Sequence, residues 1–277
     1  MTRLIDVMHL GRDRVIGAYD LDGVVVDPGP ASSVETLLEH VRPRVLLLTH
    51  IHLDHAGASG VLVERFPDIQ VYVHEVGAPH VIDPSRLLKS AAKLYGEENM
   101  KPLWGDVLPV PEENVHVLSG GETVEGFRVE YAPGHASHHV VYLHTDSGDL
   151  FSGDACGVRI PPSELALAPT PPPDVDLDAW RGTLDKVEAL DPGRICMTHF
   201  GPIDDVDAHL GRVRRWIDDW CLRAAQLSQD EWVGALEQRF ADEGDEVREQ
   251  FVQATPPDQQ YLGLERYWRK RAEQDAA

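Results

Sequence analysis

A run of nine residues near position 50 constrains the fold of this chain more than any other stretch. Residues 49–57 read THIHLDHAG and directly follow four apolar residues that predict a buried strand. The run therefore places four polar side chains just after the end of that strand, namely those of His50, His52, Asp54 and His55. Imidazole and carboxylate groups are ligands of zinc, iron and manganese in proteins. Because alternate side chains point the same way on an extended backbone, His50 and His52 can bind one ion together, and the two ligands after them can turn toward a second.

The bulk composition describes an ordinary globular chain. Its 277 residues are 42% hydrophobic and 26% charged, which is enough for a full core. We find no stretch of about 18 apolar residues that would predict a membrane span, and the early Asp6 argues against a signal peptide. Three cysteines without CxxC spacing predict neither a disulfide framework nor a zinc knuckle. We therefore expect a cytoplasmic protein with reduced cysteines.

The charge narrows the class of partner. The formal net charge is −22 at pH 7, and nucleic acids are bound by clusters of Lys and Arg. A field of this sign repels phosphates. We therefore expect a small-molecule substrate, with neither nucleic acid nor a membrane as partner.

Short β-prone runs alternate with helical patterns through the first two thirds of the chain, which favours an α/β layered core. We assign residues 1–202 to one catalytic domain. Residues 76–114 interrupt the alternation with a helical pattern over 85–95. That helix either packs on its own domain, as apolar stripes usually do, or belongs to a lid insertion over the histidine run. A lid would give the substrate an apolar wall formed by Tyr95, Leu103 and Trp104.

Residues 203–277 are predicted to form a helical C-terminal extension. Apolar residues at helical spacing predict a helix over 204–227, a capping-box pattern predicts a second from Ser228, and prolines 256 and 257 predict the start of a third. The extension is rich in large aromatic side chains, which either pack onto the rest of the chain or form a homodimer interface. These side chains are Trp216, Trp220, Trp232, Tyr261 and Trp268.

Three further candidate ligands lie where later strands should end. His135 follows a Pro-Gly pair after a β run, Asp154 follows a strand and a glycine, and His199 follows the run Ile-Cys-Met-Thr. Loops at strand ends are where rigid scaffolds present reactive groups. Taken singly, each is explained as well by a turn or by a hydrogen-bonded histidine. Together with the histidine run they predict one metal centre.

These motifs resemble those of the metallo-β-lactamase fold superfamily over residues 14–201. The signatures of that family are matched by Asp27-Pro28-Gly29, by the histidine run and by the three later candidates. The resemblance implies that a first metal ion is held by His50, His52 and His135. It implies that a second ion is held by Asp54, His55 and His199.

By the same resemblance, Asp154 bridges the two ions and Asp27 supports the ligand loop from a second shell. The implied fold is a four-layer αββα sandwich with outer helices and the metals at one edge. The implied cofactors are two divalent ions, zinc in the first place, with iron or manganese as alternatives. The implied reaction is hydrolysis of a small-molecule ester-type bond (thioester, lactone or related) by a metal-bridging hydroxide. Asp54 would be the catalytic residue that orients the nucleophile and moves its proton.

Departures from individual relatives narrow the substrate. β-Lactamases of this superfamily lack an Asp at the position of Asp154, and the acyl-homoserine-lactone lactonases carry a tyrosine where this chain has Gly157. Glyoxalase II is expected to hold the carboxylates of glutathione with basic residues. In the acidic extension the corresponding candidates are Arg212, Arg214 and Arg215.

Two functions of other classes stay open. A mononuclear iron dioxygenase of the persulfide type would use His50, His52 or His55 with His135 and Asp154 as a three-ligand iron site, and would leave the other ligands idle. A non-catalytic interaction module would hold its metals in a structural site that is closed to water.

The other histidines fit no ligand spacing. His138 and His139 follow His135 closely, and we expect structural or second-shell roles for them. We expect packing or surface positions for His9, His40, His74, His80, His116, His144 and His209.

Overall fold

Two β-sheets pack face to face in the computed structural model, which describes residues 1–275. The first sheet has six strands in chain order: β1 (Arg3–Asp6), β2 (Gly17–Leu21), β3 (Val24–Val26), β4 (Val45–Leu47), β5 (Gln70–His74) and β6 (Val115–Leu118). The second has five: β7 (Thr123–Val124), β8 (Phe127–Tyr131), β9 (Val140–His144), β10 (Asp149–Gly153) and β11 (Arg194–Met197). Their order across the sheet is β11-β10-β9-β8-β7.

Both sheets are mixed, and the parallel pairs determine which loops meet. Strands β3 to β6 pair parallel, after the antiparallel pairs β1–β2 and β2–β3. In the second sheet β10 and β11 pair parallel, and the other pairs are antiparallel. Because parallel strands end at the same edge of a sheet, the loops after β3 and β4 lie side by side, and so do those after β10 and β11.

Helices cover the outer faces of the sandwich. Along the chain, between the strands and after the last of them, the described residues contain α1 (Val34–His40), α2 (Leu53–Ala56), α3 (Ser59–Arg65), α4 (Ala78–Ile82), α5 (Ser85–Tyr95), α6 (Glu97–Trp104), α7 (Leu177–Ala189), α8 (Val206–Arg223), α9 (Gln229–Ala241), α10 (Asp245–Ala254) and α11 (Pro257–Asp275). Helices α1, α3 and α4 share a hydrophobic cluster with the first sheet. Helix α7 and the C-terminal helices share another with the second sheet.

Strand β4 explains why an all-apolar run precedes the histidines. Val45 and Leu47 lie in the cluster between the two sheets, whereas Leu46 and Leu48 lie in the cluster under the outer helices. Successive side chains of a strand point to opposite faces, so a central strand of a four-layer sandwich is apolar at every position. The predicted αββα fold with a C-terminal helical extension is confirmed.

The C-terminal extension continues the core of the sandwich. Side chains of α8 to α11 belong to the same hydrophobic cluster as Val141, Leu150 and Ile195 of the second sheet. The prediction of three helices in this region was wrong, because α9 and α10 are separate. Gly244 precedes α10 with φ 93°, a left-handed conformation that glycine adopts without steric cost and that interrupts the helix.

The aromatic side chains of the extension pack within the chain. Trp216, Trp232 and Tyr261 are buried in the cluster shared with the second sheet, and Trp220 and Trp268 pack against it partly buried. Trp216 and Trp220 stack with ring centroids 4.8 Å apart. This arrangement gives the aromatic residues a role without a second copy of the chain, and the homodimer stays a prediction.

The interrupting segment 76–114 lies over one end of the sandwich as α4, α5 and α6. The predicted helix over 85–95 is α5, and it has no buried side chain although its apolar residues share one face. In contrast, α6 ends at the buried Trp104. None of the helices described in residues 1–275 has the length and apolar content to cross a bilayer.

One buried histidine of α8 gives a testable pH dependence. His209 is buried and its Nε2 lies 2.8 Å from the carbonyl oxygen of Cys156, and burial lowers the pKa of His209 to about 4. Between pH 6.5 and 4 the unfolded chain therefore binds more protons at this residue, so acid destabilises the fold. We expect the free energy of unfolding to fall by about 2 kcal/mol from this source between pH 7.5 and 5.

The variant His209→Gln keeps a donor for Cys156 and cannot ionise. Urea unfolding at both pH values should show that the wild-type protein loses about 2 kcal/mol more than the variant on acidification. All other titrating groups are common to the two proteins and cancel in this difference. An equal loss in both would contradict the assignment.

Candidate metal centre

The histidine run leaves β4 and turns back on itself. His50 is buried directly after the strand, and His52 lies immediately before the one-turn helix α2. That helix then carries Asp54 and His55 back toward the strand end. A short helix after a buried strand thus brings four ligand groups from six residues to one place.

Three imidazole nitrogens converge in a first cluster. Nδ1 of His52 lies 3.0 Å from Nε2 of His50 and 3.0 Å from Nε2 of His135. Nitrogen ligands about 2.0–2.1 Å from one tetrahedral zinc ion are separated by about 3.3 Å. The spacing of these nitrogens therefore fits one shared cation.

A second cluster lies beside the first. Oδ2 of Asp54 lies 3.3 Å from Nε2 of His199 and 3.6 Å from Nε2 of His55. His199 arrives from the loop after β11, about 150 residues along the chain from the histidine run. The structure therefore brings together all seven candidate ligands that the sequence singled out, in two groups of three and Asp154.

Asp154 lies between the two clusters and divides its carboxylate between them. Oδ2 lies 3.3 Å from Nε2 of His135 in the first cluster. Oδ1 lies 3.4 Å from Nε2 of His55 and 3.6 Å from Nε2 of His199 in the second. One side chain could therefore ligate two cations at once.

Unpartnered atoms test whether cations fit here. Nε2 of His55 and Oδ1 of Asp154 are buried without a hydrogen-bond partner. Three buried or half-buried carboxylates, those of Asp27, Asp54 and Asp154, meet at the site, and no Lys or Arg of residues 1–275 pairs with them. Buried charges need compensation. Nitrogen and oxygen donors with an excess of negative charge fit divalent cations.

The far sides of the rings fix which nitrogen is free. Nδ1 of His55 lies 2.8 Å from Oδ2 of Asp27, Nδ1 of His135 lies 2.8 Å from the carbonyl oxygen of Pro169, and Nδ1 of His199 lies 2.5 Å from that of Val15. A carbonyl or carboxylate oxygen can only accept, so each Nδ1 donates its proton. Each Nε2 then presents a lone pair to the clusters, as metal-binding histidines do.

The local electrostatics favour the ligand forms of His50, His52 and Asp154. Burial, and then the neighbouring imidazoles, lower the pKa of His50 and of His52, the latter to about 3. Burial alone would raise the pKa of Asp154, but His55 and His135 outweigh it and hold that pKa well below the usual range. Neutral imidazoles and an ionised carboxylate are the forms that bind metals.

The second cluster differs in its protonation. Burial alone would lower the pKa of His55 and of His199, but the neighbouring carboxylates of Asp54 and Asp154 outweigh burial and raise both pKa values. A cation that binds there must therefore displace a proton from these rings.

Asp27 connects the ligand loops from behind. Besides His55, its carboxylate accepts hydrogen bonds from the Thr49 amide (2.8 Å) and hydroxyl (2.7 Å) and from the Thr198 hydroxyl (3.2 Å). The residue before His50 and the residue before His199 are thus held by one buried side chain. The predicted second-shell position of Asp27 matches this geometry, whereas the two threonines were missed because their partner lies far away in sequence.

The variant Asp27→Asn tests this positioning role. The asparagine NH2 group can only donate, so where it replaces Oδ2 of Asp27 it can no longer accept the proton of His55 Nδ1. His55 would then carry its proton on Nε2, which removes the lone pair that faces the second cluster. We expect the affinity for the second cation to fall by about 10- to 100-fold, with the first cation retained. Competition titration with a chromophoric zinc chelator measures the affinity of the protein for the first and for the second cation.

Asp20→Asn is a matched control, since Asp20 is also buried but pairs with Arg3 and the Gly23 amide away from the site. If Asp27→Asn lowers the affinities for both cations equally, or lowers neither, Asp27 has no specific role in holding His55.

Two nearby features fix the position of the Asp154 loop. Gly153 has φ 46°, and a Cβ there would lie 2.3 Å from the Thr49 hydroxyl oxygen, so only glycine fits. The Asp154 amide lies 3.3 Å from Nε2 of His139, whose ring stacks on His50 at 4.7 Å. His139 and His138, which stacks on His50 at 6.1 Å, therefore lie behind or beside the ligands. His138 also lines a cavity beside the clusters, and the structural or second-shell roles of both histidines stay predictions.

A cavity of about 620 Å³ opens onto the clusters. His52, Asp54, Asp154 and His199 line its inner end. Its outer wall contains the three residues predicted for the substrate, namely Tyr95, Leu103 and Trp104. Tyr95 and Trp104 meet edge to face at 5.1 Å. Helix α5 thus covers a cavity with its apolar face, which explains why none of its side chains is fully buried.

His9 also lines this cavity, which the sequence reasoning missed. Its ring is buried and stacks on Trp104, with centroids 5.6 Å apart and planes 10° from parallel. The signal available in sequence was weak. His9 comes shortly after β1 and before the turn residue Gly11, a strand-end position like those of the ligands.

Comparison with known proteins places the chain in a family. Residues 15–199, which include every candidate ligand, match the model of the metallo-beta-lactamase superfamily. The chain belongs to the metallo-β-lactamase superfamily. The predicted resemblance is confirmed, and the matched range agrees with the range 14–201 expected from the motifs.

Relatives of this superfamily protein match it over part of their length. The hydroxyacylglutathione hydrolase of Hamiltonella defensa is 32% identical over 139 residues, 48% of this chain and 45% of that one. The metallo-beta-lactamase fold-containing protein ST1585 of Sulfurisphaera tokodaii is 28% identical over 199 residues, 64% of this chain and 68% of that one. The chain thus spans about half to two thirds of the length of these curated relatives.

Solved structures of other proteins are similar in fold to this chain. The crystal structure of the archaeal protein ST1585 covers 95% of this chain and 98% of its own, with a TM-score of 0.72 at 21% identity. That coverage extends into the C-terminal helices. A structure solved in a di-iron-bound form covers 71% of this chain and 91% of its own, with a TM-score of 0.50 at 26% identity.

Proposed function

We propose that this superfamily member is a dinuclear metal-dependent hydrolase that cleaves an ester-type bond of a small molecule, such as a thioester or a lactone. The observation that carries the proposal is the position of Asp154, whose two carboxylate oxygens face two separate sets of ligands. Hydroxyacylglutathione hydrolases among the relatives support the same reaction class.

The proposed ligands are those predicted from sequence. His50, His52 and His135 would hold the first ion, Asp54, His55 and His199 the second, with Asp154 shared. When bound, two divalent ions would lower the pKa of a shared water toward neutrality and polarise the substrate carbonyl. Asp54, half-exposed at the inner end of the cavity, would orient the nucleophile and carry its proton to the leaving group.

Zinc is the metal we propose first, because histidine-rich sites with tetrahedral spacing suit it. Iron is the alternative that the comparison structure in a di-iron-bound form supports. Manganese stays a further alternative, since mixed imidazole and carboxylate ligands accept it.

The cavity favours an apolar acyl substrate over one with several charges. Arg86 is the single Arg or Lys that lines it within residues 1–275. The basic cluster expected to bind glutathione, Arg212, Arg214 and Arg215, does not line this cavity. Two of its members are engaged in ion pairs, Arg212 with Asp205 and Glu164, and Arg214 with Asp185 and Glu188. We therefore propose a substrate with an apolar acyl group and at most one negative charge near Arg86. The cytoplasm is the proposed location, and the free, buried state of the three cysteines fits a reducing compartment.

The two alternative functions fit the geometry less well. A mononuclear iron dioxygenase that uses His50 or His52 would fill the first cluster alone. Nε2 of His55 and Oδ1 of Asp154 would then stay buried without a partner. A structural-metal module needs a closed site, whereas four candidate ligands line a cavity.

Metal analysis and a substrate screen test the proposal together. Protein purified without added metal should contain two ions per chain by inductively coupled plasma mass spectrometry. It should hydrolyse thioesters, lactones or aryl esters in preference to phosphodiesters. One iron per chain with oxygen consumption would support the dioxygenase instead, and bound metal without any hydrolysis would support the structural module.

The apolar wall should set the choice of acyl group. We expect Trp104→Ala to lower the preference for an octanoyl over an acetyl 4-nitrophenyl ester by about tenfold in kcat/KM, because a large apolar contact with the acyl chain is lost. Trp220→Ala, outside the cavity, is the control. An unchanged ratio of kcat/KM in Trp104→Ala would return Trp104 to a purely structural role.

A further inference from the structure

The N-terminal loop between β1 and β2 carries a histidine into the cavity. His9 is 3% exposed, and its Nδ1 is buried without a hydrogen-bond partner. One face of the ring is covered by Trp104. The ring shares the cavity with Asp54 and His199 of the second cluster. A buried polar ring with an unpartnered atom beside a reactive centre requires an explanation.

The backbone holds this ring in place at a steric cost. Met8 and Leu10, the neighbours of His9, have φ of 51° and 55°, a left-handed conformation that non-glycine residues rarely adopt. Such strain persists only where surrounding contacts over-determine the conformation. The position of His9 is therefore imposed by its environment.

Helix α10 of the C-terminal extension supplies that environment. The side-chain amide of Gln253 donates to the carbonyl oxygen of His9 at 2.9 Å, and that of Gln250 donates to Oδ1 of Asp13 at 3.0 Å. Arg12 pairs with Glu249 at 2.5 Å. Contacts from one helix thus fix the loop that presents His9, and Glu246 of the same helix adds an ion pair with Arg14.

The protonation state of the ring follows from its surroundings. Burial lowers the pKa of His9, so the ring is neutral at pH 7 and carries one N–H. A buried donor without a partner is rarer in proteins than an under-used acceptor, so we assign the unpartnered Nδ1 as the acceptor. The proton then lies on Nε2, which makes His9 a hydrogen-bond donor in the cavity that Asp54 also lines.

We propose that His9 is a substrate-binding residue whose Nε2–H donates a hydrogen bond to the leaving-group oxygen or sulfur of the substrate. This inference rests on the proposed hydrolase function. The leaving group is the acceptor because it gains negative charge as the acyl bond breaks, on the side of the site where Asp54 delivers the proton. A hydrogen bond to a developing charge contributes more than one to a neutral group.

A leaving-group series tests the proposal. In His9→Phe, which keeps the stack on Trp104, kcat/KM should fall by about 10- to 100-fold for phenyl acetate. It should fall much less for 4-nitrophenyl acetate, whose leaving group needs less stabilisation. His9→Asn, which keeps a donor, should recover part of the loss. Two metal ions per chain should be retained in both variants. An equal loss for both esters, or none, would overturn the proposal.

A binding measurement separates this inference from the hydrolase function. Isothermal titration calorimetry with phenol, the product, should give at least a several-fold weaker Kd for His9→Phe than for the wild-type protein. If phenol binds more weakly to His9→Phe but the wild-type protein hydrolyses no ester, the proposed function is overturned and the binding role of His9 is retained. Equal affinities in the two proteins, including no binding by either, would overturn the role of His9.

The part played by α10 is tested with a double-mutant cycle. Gln253→Leu should reproduce part of the phenyl acetate loss, and it should add little in the His9→Phe background because both changes act on one contact. Gln238→Leu is the matched control and should leave the kinetics unchanged, since the Gln238 amide donates to Asp242 just after the end of α9. Additive losses for Gln253→Leu and His9→Phe would show that α10 does not act through His9.

Discussion

Replacing Asp154 by Asn should abolish hydrolysis almost completely. The amide keeps the size of the side chain, but it presents one oxygen and one NH2 group to two clusters that each need an acceptor. We expect bound metal to fall from two ions to one or none per chain, and kcat to fall on the order of 10³-fold or more. Mass spectrometric metal analysis and ester hydrolysis by the same preparation measure both effects.

Asp146→Asn is the matched control for this experiment. Asp146 lies eight positions earlier in the exposed turn before β10, and the same chemical change there should leave metal content and kcat at wild-type values. Two retained ions with near wild-type hydrolysis in Asp154→Asn would refute the bridging role. Two retained ions without hydrolysis would assign Asp154 to the reaction alone.

Adding one methyl group at Gly153 should destabilise the fold and misplace Asp154. An alanine Cβ would lie 2.3 Å from the Thr49 hydroxyl oxygen and 3.0 Å from Nε2 of His139, on a backbone with φ 46°. Overpacking and the left-handed conformation together should lower the free energy of unfolding by about 3 kcal/mol. A displacement of about 1 Å at Asp154 should lower kcat by a further factor of about 100.

Gly148→Ala, at the other end of β10, separates the two causes. Gly148 also has positive φ (72°), but its nearest neighbour would lie 3.7 Å from the new Cβ. Urea unfolding should show a loss of about 1 kcal/mol in Gly148→Ala, with kcat unchanged. Equal losses of stability in the two variants would mean that Thr49 moves aside, and the tight packing argument would fail.

The convergence of the seven candidate ligands could be predicted from sequence because their signals are local. The residue type of each ligand and its position after a β run can both be read within a few residues, as for His135 after Pro-Gly and His199 after β11. The apolar run before His50 was informative for the same reason, since burial on both faces of β4 removes the polar alternation. The family resemblance then supplied which ligands belong together.

The rest of the site depends on contacts between distant parts of the chain. Thr198 reaches Asp27 across 171 positions, and His9 is held by Gln253 across 244. Contacts between residues so far apart in sequence leave no pattern in a short stretch of the chain. The separation of α9 from α10 was missed for a different reason, because the residues around Gly244 are charged enough to extend a helical pattern through the break.

The core that α8 to α11 share with the second sheet bears on how such a chain can diversify. Every proposed metal ligand precedes residue 202, whereas Gln253 and Gln259 bring the tail to the cavity wall. Substitutions in the C-terminal helices can therefore change which molecules fit the cavity without changing the proposed metal ligands. Exchanging tails between family members is the matching engineering route to altered selectivity.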